Sequence, residues 1–145
     1  MNKLDPRNTI LIAAGGTGGH IFPSLSIINE IRVGNFIVIT DQRGETYFNS
    51  FLNKKVINFK IFIHNVSSPS NEVMLNKIKS CYHLFISVLK SIILIIKNKP
   101  HIVVGFGGYP SVAPVLAAKL FKIPSIIHEQ NATLGRANKF LGNVA

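Results

Sequence analysis

Residues 9–23 read TILIAAGGTGGHIFP, and this stretch decides the fold. The run at residues 9–14 is apolar and ends directly in glycines, which is typical of a strand buried in a parallel sheet. Residues 22–31 predict a short helix with Pro23 in its first turn, a favoured position for proline. Glycines between a strand and a helix let the backbone approach a ligand closely, and the helix points its free N–H groups at the same space. The stretch therefore predicts a site for a phosphate or pyrophosphate group.

The alternation of strand and helix continues along the rest of the chain. Further strands are predicted at residues 36–40, 56–63, 102–104 and 125–128, and helices at residues 42–51, 72–98, 111–121 and 134–141, with a polar loop at 67–71. Strands separated by helices predict right-handed crossovers and an α/β fold with a doubly wound, Rossmann-like parallel sheet. The 145 residues suit one domain, taken as residues 1–145.

Composition and charge narrow the possible partners. The chain is 47% hydrophobic, which allows a packed core, and its 16 Lys and Arg against 6 Asp and Glu favour anionic partners. No zinc-finger spacing, RNP-type aromatic motif or heptad repeat is present, so nucleic acid is not expected. Cys81 is the only cysteine, and residues 9–14 are too short for a signal-peptide core. A cytoplasmic protein with an anionic membrane surface or a phosphorylated substrate as partner is expected.

Three glycine-rich or polar segments follow predicted strands, at residues 15–20, 105–111 and 128–133. Ligands bind beyond the carboxyl ends of the strands in such sheets, so we expect these segments to meet at one rim. Amide and carboxylate groups in the third segment suit sugar hydroxyls. In the second, Ser111 is expected to cap its helix, and Tyr109 to stack on a sugar or cover the core.

The first of these segments allows more than one interpretation. Gly16 and Gly18 begin the pattern G-x-G-x-x-G, but Ile21 stands at the third glycine position, and no Walker A motif is present. Asp41 follows the second predicted strand, where a ribose-binding acid would lie, so a nucleotide-binding oxidoreductase is one alternative. His20 lies at a helix N-terminus, whose dipole favours the neutral ring. It is a candidate general base or hydrogen-bond donor, with packing or capping as the alternative.

The long helix predicted at residues 72–98 carries more apolar surface than a crossover helix needs. At about 100° per residue its apolar side chains cover roughly 200°, against about 100° for an ordinary stripe, and Ser80, Ser87 and Ser91 fall in the polar remainder. The apolar run at residues 84–96 is shorter than the roughly 20 residues of a membrane span, so no span is expected. Basic neighbours favour docking on an anionic membrane surface, with a buried helix or a protein interface as the alternative.

Four motifs together resemble the MurG family, the bacterial peptidoglycan N-acetylglucosaminyltransferases. They are AGGTGGHIFP at residues 14–23, GFGGYPS at 105–111, IP with HEQN between 123 and 131, and ANK at 137–139. The resemblance spans nearly the whole chain and implies the N-terminal, acceptor-side domain of a GT-B glycosyltransferase. The implied reaction moves GlcNAc from UDP-GlcNAc to lipid I with inversion, giving lipid II. The implied location is the cytoplasmic face of the inner membrane, with peripheral attachment and no metal or other cofactor.

The resemblance also implies roles for individual residues, among them His20 as a candidate general base. Donor binding is implied for Thr17, Gly18, Gly19 and Asn131, acceptor diphosphate binding for Gly15, Gly16, Gly107, Gly108, Tyr109 and Ser111, and other cleft positions for Glu129 and Gln130. The implied membrane patch comprises Leu75, Ile78, Tyr82, Phe85, Leu89, Phe121, Lys79 and Lys90.

The UDP-binding domain of the family has no counterpart within residues 1–145. Inverting transfer needs donor and acceptor held in line, so this chain alone is expected to be inactive or nearly so. It is interpreted as a truncated product or as half of a split enzyme with a separate C-terminal-domain chain. A membrane-docking scaffold is the non-enzymatic alternative.

Overall fold

The structure, a computed structural model, describes residues 8–31, 34–52, 58–64 and 74–145. At residues 52 and 74–78 the structure describes the backbone only. The polar loop expected at residues 67–71, and the first residues of the strand predicted at 56–63 and of the helix predicted at 72–98, lie outside the described residues.

Five parallel strands form one sheet in the order β3-β2-β1-β4-β5. The strands are β1 (Thr9–Ala13), β2 (Asn35–Thr40), β3 (Asn58–Ile63), β4 (Ile102–Gly105) and β5 (Ser125–Ile127). The central strand β1 pairs with β2 on one side and with β4 on the other, so the direction of winding changes between β1 and β4. Such a switch point opens a crevice at the carboxyl ends of the strands, and the loops after β1 and β4 border it here.

Helices cover both faces of this sheet, which confirms the predicted doubly wound α/β fold. They are α1 (Gly18–Glu30), α2 (Gln42–Leu52), α3 (Met74–Asn98), α4 (Val112–Leu120) and α5 (Arg136–Leu141), with a 3₁₀ turn at Tyr109–Ser111. Successive side chains of a strand point to opposite faces. Ile12 therefore packs in one core with α1 and α2, and Leu11 packs in the other core with α3, α4 and α5.

Helix α1 begins at Gly18, four residues before the predicted start at residue 22. The carbonyl oxygen of Thr17 accepts hydrogen bonds from the N–H groups of His20 and Ile21, so the glycine loop itself forms the first turn. The placement of Pro23 in the first turn was wrong, because the proline lies inside the helix. Proline has no backbone N–H, so the helical hydrogen bond to the carbonyl four residues earlier is missing. The earlier start brings the positive end of α1 into the glycine loop.

Helix α3 buries its serines and exposes much of its apolar surface. Ser80, Ser87 and Ser91 are buried. Five large side chains half a turn away are exposed, namely Tyr82, Phe85, Leu89, Ile93 and Ile96. Small serine side chains let the helix approach the sheet closely, and their hydroxyls bond locally, as Ser91 does to the carbonyl oxygen of Ser87 at 2.8 Å. The serines of the predicted polar arc therefore face the domain, and the exposed apolar arc agrees with the predicted excess of apolar surface.

His64 anchors α3 to the end of β3. Its ring is 4% exposed, and Nδ1 lies 2.9 Å from the hydroxyl oxygen of Ser87. Burial, and to a lesser extent the positive charge of Lys90, lower the pKa of His64 from 6.5 to about 4. His64 is therefore neutral at physiological pH, because burial away from water disfavours the charged ring.

Acidification is expected to destabilise the fold through His64. Between pH 6.5 and about 4 the unfolded chain binds a proton that the folded chain does not, so the stabilisation is complete above pH 6.5 and is lost as the pH falls towards 4. The expected loss is about 2 to 3 kcal/mol. Urea unfolding across this range measures it, with His64→Asn as the comparison, because asparagine does not titrate. An equal loss of stability in His64→Asn over this range would contradict the assignment.

Candidate functional site

The three segments predicted to share a rim meet around His20. This residue lies in the first turn of α1, after β1. In the loop that follows β5, Gln130 places its Nε2 atom 2.7 Å from His20 Nδ1. In the loop that follows β4, a Cβ atom added to Gly107 would lie 2.8 Å from both Cε1 and Nδ1 of the same ring. The predicted convergence of the three loops at one rim is confirmed by these contacts.

Two glycines of the second loop make room for this arrangement. Gly107 and Gly108 have φ angles of +91° and +73°, in the left-handed region that side chains disfavour. A Cβ atom at Gly108 would come within 2.5 Å of the carbonyl oxygen of Gly15. The second loop therefore packs its bare backbone against both the first loop and the His20 ring.

Replacing Gly107 with alanine is expected to displace His20 and to destabilise the fold by about 1 to 3 kcal/mol, because the new methyl group meets the ring and the φ angle is positive. Gly142→Ala is the matched control, since Gly142 has φ −57° and its added Cβ would meet nothing closer than 3.5 Å. The control should be neutral or gain up to about 1 kcal/mol. Urea unfolding and the ring-proton NMR signals of His20 measure both variants. Equal stability of the two variants would argue against this packing.

The start of α1 leaves donors free at the rim. Thr17 is the N-cap residue, but its side chain makes no capping hydrogen bond and is exposed. Gly19 is also exposed, and a Cβ atom there would lie 3.5 Å from Gln130 Nε2. The first N–H groups of a helix have no intrahelical acceptor, and the dipole adds positive potential. Thr17, Gly18 and Gly19 thus present a hydroxyl group and backbone donors suited to an anion.

Asp41 supports the glycine loop. Its Oδ2 atom accepts a hydrogen bond from the N–H of Gly16 at 2.8 Å, and its Oδ1 atom accepts one from the N–H of Gly44 at 2.9 Å. Both carboxylate oxygens are therefore occupied by backbone groups, which speaks against the ribose-binding role. The sequence predicted that Asp41 lies near the loop but not that it supports the loop. Its partners are backbone N–H groups, which every residue type except proline has, so no sequence pattern reveals them.

Glu129 shapes the third loop. Its Oε1 atom accepts from the N–H and the side-chain amide of Asn131, and its Oε2 atom accepts from the N–H of Gly135 and the amide of Asn138. Hydrogen bonds from Gly135 first, and then from Asn131 and Asn138, lower the pKa of Glu129 from 4.5 to about 2. The carboxylate therefore organises the loop and orients Asn131, whose amide oxygen remains for a ligand. The loop role of Asn138 was missed, although the ANK motif contains it.

Ser111 and Tyr109 lie in the 3₁₀ turn before α4. The Ser111 hydroxyl is buried and donates to the carbonyl oxygen of Gly108 at 2.8 Å, and it makes no capping bond. The capping role predicted for Ser111 was wrong, because Ser111 already has helical backbone angles. Tyr109 is half-buried. Within the described part of the chain, no group of three His, Cys, Asp or Glu side chains is placed to hold a metal ion.

A second surface lies on α3 and the end of α4. We call the exposed residues Tyr82, Phe85, Leu89, Ile93 and Ile96 the α3 stripe. Helix α4 packs against α3 and ends in exposed Leu120 and Phe121. Lys79 and Lys90 are exposed on α3. Of the predicted patch, Leu75 and Ile78 have side chains outside the description, whereas Ile93, Ile96 and Leu120 were not included in it.

Helix α3 is long and apolar enough to cross a membrane by length and composition alone, over Lys79–Asn98 with a mean hydropathy of 1.6. The length of the apolar run therefore does not exclude a membrane span. The packing of the helix speaks against a membrane span, because Ser87, Leu94 and Ile95 are buried against the rest of the domain. A helix packed in this way cannot be surrounded by lipid while the domain is folded.

Comparison with known proteins identifies the family. The glycosyltransferase family 28 N-terminal domain model matches residues 10–145. A curated UDP-N-acetylglucosamine–N-acetylmuramyl-(pentapeptide) pyrophosphoryl-undecaprenol N-acetylglucosamine transferase of Rhizobium meliloti is 43% identical over 143 residues, which cover 94% of the chain and 36% of that protein. The protein of the same name in Rickettsia prowazekii is 42% identical over 140 residues, covering 94% of the chain and 33% of that protein.

A solved structure agrees with this result. The crystal structure of Acinetobacter baumannii MurG has a TM-score of 0.74 and 29% identity to the chain, covering 97% of the chain and 40% of that protein. The chain spans about a third of the length of the curated relatives it matches. Its fold is that of the Rossmann-like N-terminal domain of a GT-B glycosyltransferase. The chain therefore belongs to glycosyltransferase family 28, within which it matches the N-terminal domain.

Proposed function

We propose that this chain is the acceptor- and membrane-binding part of an inverting transferase that moves GlcNAc from UDP-GlcNAc to lipid I in peptidoglycan synthesis. The observation that carries the proposal is the convergence of three loops on His20 at the carboxyl rim of the sheet. The names of the relatives supply the donor and the lipid-linked acceptor.

The glycine loops suit the acceptor diphosphate. Gly15 and Gly16 follow β1, Gly107 and Gly108 follow β4, and a Cβ atom at Gly108 would come within 2.5 Å of the Gly15 carbonyl oxygen. The two loops contact each other through their backbones and carry no side chains there, so a bulky anion can lie next to them. The start of α1 adds N–H donors and positive potential. The donor nucleotide is assigned to Thr17, Gly18, Gly19 and Asn131.

His20 takes the proton in the proposed transfer step. The acceptor hydroxyl oxygen forms the new bond to the anomeric carbon, the bond from that carbon to the UDP oxygen breaks, and the configuration inverts. The hydroxyl proton passes to the imidazole. The ring contacts both Gly107 and Gln130, which restricts its position before any substrate arrives.

The α3 stripe suits the membrane surface that carries such an acceptor. Ser87 bonds to His64, which directly follows β3, so the part of α3 before Ser87 lies at the same rim as the glycine loops. Tyr82 and Phe85 are 62% and 61% exposed there. Aromatic and aliphatic side chains with lysines beside them favour an anionic interface. A peripheral domain docked through this surface brings the rim close to a lipid-linked diphosphate at the cytoplasmic face of the inner membrane.

Transfer requires a UDP-binding domain opposite this rim, in the same polypeptide or in a separate chain. The described loops form one side of a cleft, and in-line displacement needs the donor held from the other side. We call this chain together with such a domain the assembled transferase. The 145-residue chain by itself is proposed to bind the acceptor and to turn over poorly or not at all.

Amide chemical-shift mapping on the ¹⁵N-labelled chain tests the proposal. A short-chain, soluble analogue of lipid I is expected to shift the signals of Gly15, Gly16, Gly107 and Gly108, and UDP-GlcNAc those of Thr17, Gly18, Gly19 and Asn131. NADH serves as the control for the oxidoreductase alternative and should leave these signals unchanged. The proposal would be abandoned if the lipid I analogue shifted none of the glycine signals at saturating concentration, or if NADH shifted them at micromolar concentration.

A further inference from the structure

A groove runs between α1 and α2, on the face of the sheet opposite the α3 stripe. Its volume is about 490 Å³, within the usual range for ligand sites. The described residues that line it are Phe22, Leu25, Ser26 and Asn29 of α1, and Tyr47, Ser50 and Phe51 of α2. Aromatic and aliphatic side chains thus form most of its walls, with hydroxyl and amide groups beside them, and none of these residues is charged.

Two aromatic rings form the end of this groove that lies towards the carboxyl rim. Phe22 and Tyr47 are 56% and 48% exposed. Their rings meet edge to face, with centroids 5.7 Å apart and planes at 74°. Such a pair forms an apolar corner whose ring faces remain open. A ligand that covered this corner would remove its apolar surface from water, which favours binding.

The groove is continuous with the glycine loop to which the acceptor diphosphate is assigned. A Cβ atom added to Gly18 would lie 2.9 Å from Cε2 of Phe22, so this ring lies against the backbone of the loop. Asp41 directly precedes α2, and its carboxylate accepts a hydrogen bond from the N–H of Gly16 at 2.8 Å. Both helices that border the groove therefore begin at this loop, and a ligand held there can extend between them.

The chemistry of the acceptor indicates which of its parts would enter the groove. The relatives are named for an N-acetylmuramyl-(pentapeptide) pyrophosphoryl-undecaprenol. The undecaprenol chain belongs in the membrane, for which the α3 stripe is proposed, on the other face of the sheet. The muramyl sugar carries the diphosphate on its anomeric carbon and the peptide beside the reacting hydroxyl, so lipid and peptide leave the sugar in different directions. A groove on the α1–α2 face therefore fits the peptide.

We infer that the groove between α1 and α2 binds the first residues of the acceptor peptide, an inference that rests on the proposed function. From Phe22 to Asn29 the helix rises about 10 Å, at 1.5 Å per residue. This length matches about three residues of an extended chain, at about 3.3 Å each. The hydroxyl groups of Ser26 and Ser50 and the amide of Asn29 suit the N–H and C=O groups of a peptide. The groove thus favours an acceptor that carries its peptide.

Two soluble, short-chain analogues of lipid I test this inference. One carries the peptide, and the other ends in a lactyl amide but is otherwise identical. Both are titrated into the ¹⁵N-labelled 145-residue chain. We expect both to shift the signals of Gly15 and Gly16, and only the peptide-bearing analogue to shift those of Ser26, Tyr47 and Ser50. We also expect the peptide-bearing analogue to bind about tenfold more tightly.

Three results would overturn the inference. The first is equal affinity of the two analogues without shifts at the groove. The second is an equal shift of the groove signals by the peptide-free analogue, which would assign the groove to the sugar or the lipid. The third is a shift of the groove signals with protein concentration alone, which would assign the groove to a second copy of the chain.

A variant that fills the groove tests the location. Ser26→Trp places a large ring in the groove from an exposed position of α1, so we expect the tenfold preference for the peptide to disappear. Ile27→Trp is the matched control, since Ile27 is the next residue of α1, is 36% exposed and does not line the groove. It should keep the preference. Equal preference in Ser26→Trp and Ile27→Trp would overturn the inference.

The two groups of signals separate this inference from the proposed function. Shifts at Gly15 and Gly16 with both analogues, but no preference for the peptide, count against the inference alone. Shifts at the groove with the peptide-bearing analogue, but none at Gly15 and Gly16 with either, count against the proposed diphosphate site alone. No shift anywhere with either analogue counts against both. If Ser26→Trp fails to fold, the two analogues still decide on the wild-type chain.

Discussion

Replacing His20 with alanine is expected to lower the turnover of the assembled transferase by about 100- to 10 000-fold, the usual contribution of a general base. The loss should appear mainly in kcat, since the loops proposed to hold the acceptor diphosphate do not depend on the ring for their backbone conformation. Steady-state transfer of labelled GlcNAc to a lipid I analogue measures it. The acceptor-induced shifts of Gly15 and Gly16 in the ¹⁵N spectrum check that binding survives.

His101→Gln is the matched control for this prediction. His101 lies just before β4, at the amino ends of the strands and so away from the carboxyl rim, and it is exposed. The variant keeps an acceptor for the backbone N–H of Thr9 and should turn over like the wild type. If His20→Ala retained full turnover, the role of general base would have to pass to another group.

Phe85→Ser with Leu89→Ser is expected to lower vesicle binding of the chain by about 100-fold. Each side chain is exposed, at 61% and 41%, and would enter the lipid interface. Burying a Phe or Leu side chain contributes about 1.5 to 3 kcal/mol, so about tenfold in partitioning per residue is a modest expectation. Flotation with vesicles of anionic lipid measures the partition coefficient.

Phe22→Ser with Ile27→Ser is the matched control for the α3 stripe. Both side chains are exposed on α1, on the other face of the sheet, so this variant should float like the wild type. A separate variant, Lys79→Gln with Lys90→Gln, should weaken binding to anionic vesicles only, by about 30-fold, since each of the two lysines near such a surface contributes about 1 kcal/mol. If the wild-type chain bound neither vesicles with anionic lipid nor vesicles without it, membrane docking would be refuted.

The sequence predicted the architecture and the rim well because both depend on strong local signals. The apolar runs of β1 and β2 and the glycines after β1 and β4 fixed the strands to within one or two residues. In a parallel sheet these strand ends must lie at one edge, so the meeting of residues 15–20 with Gly107 and Gln130 followed from topology.

Other features could not be predicted because they depend on hydrogen bonds to the backbone or to a side chain distant in sequence. Ser87 and Ser91 have polar side chains, yet His64 and the backbone of α3 satisfy their hydroxyls inside the domain. The early start of α1 was hidden because glycine has low helix propensity, and the carbonyl of Thr17 overrides this preference by accepting two N–H groups. Asp41 bonds to backbone groups, which no residue pattern records.

Sugar transfer by the assembled transferase tests the central claim most directly. The chain is joined in one polypeptide to the UDP-binding domain of a family 28 relative and is given UDP-GlcNAc, labelled in the sugar, with a lipid I analogue. The proposed function predicts that label enters the lipid product with inversion at the anomeric carbon, and that the 145-residue chain alone transfers little or none. A folded fusion that binds both substrates yet transfers no sugar would contradict the proposal, as would rapid transfer by the 145-residue chain alone.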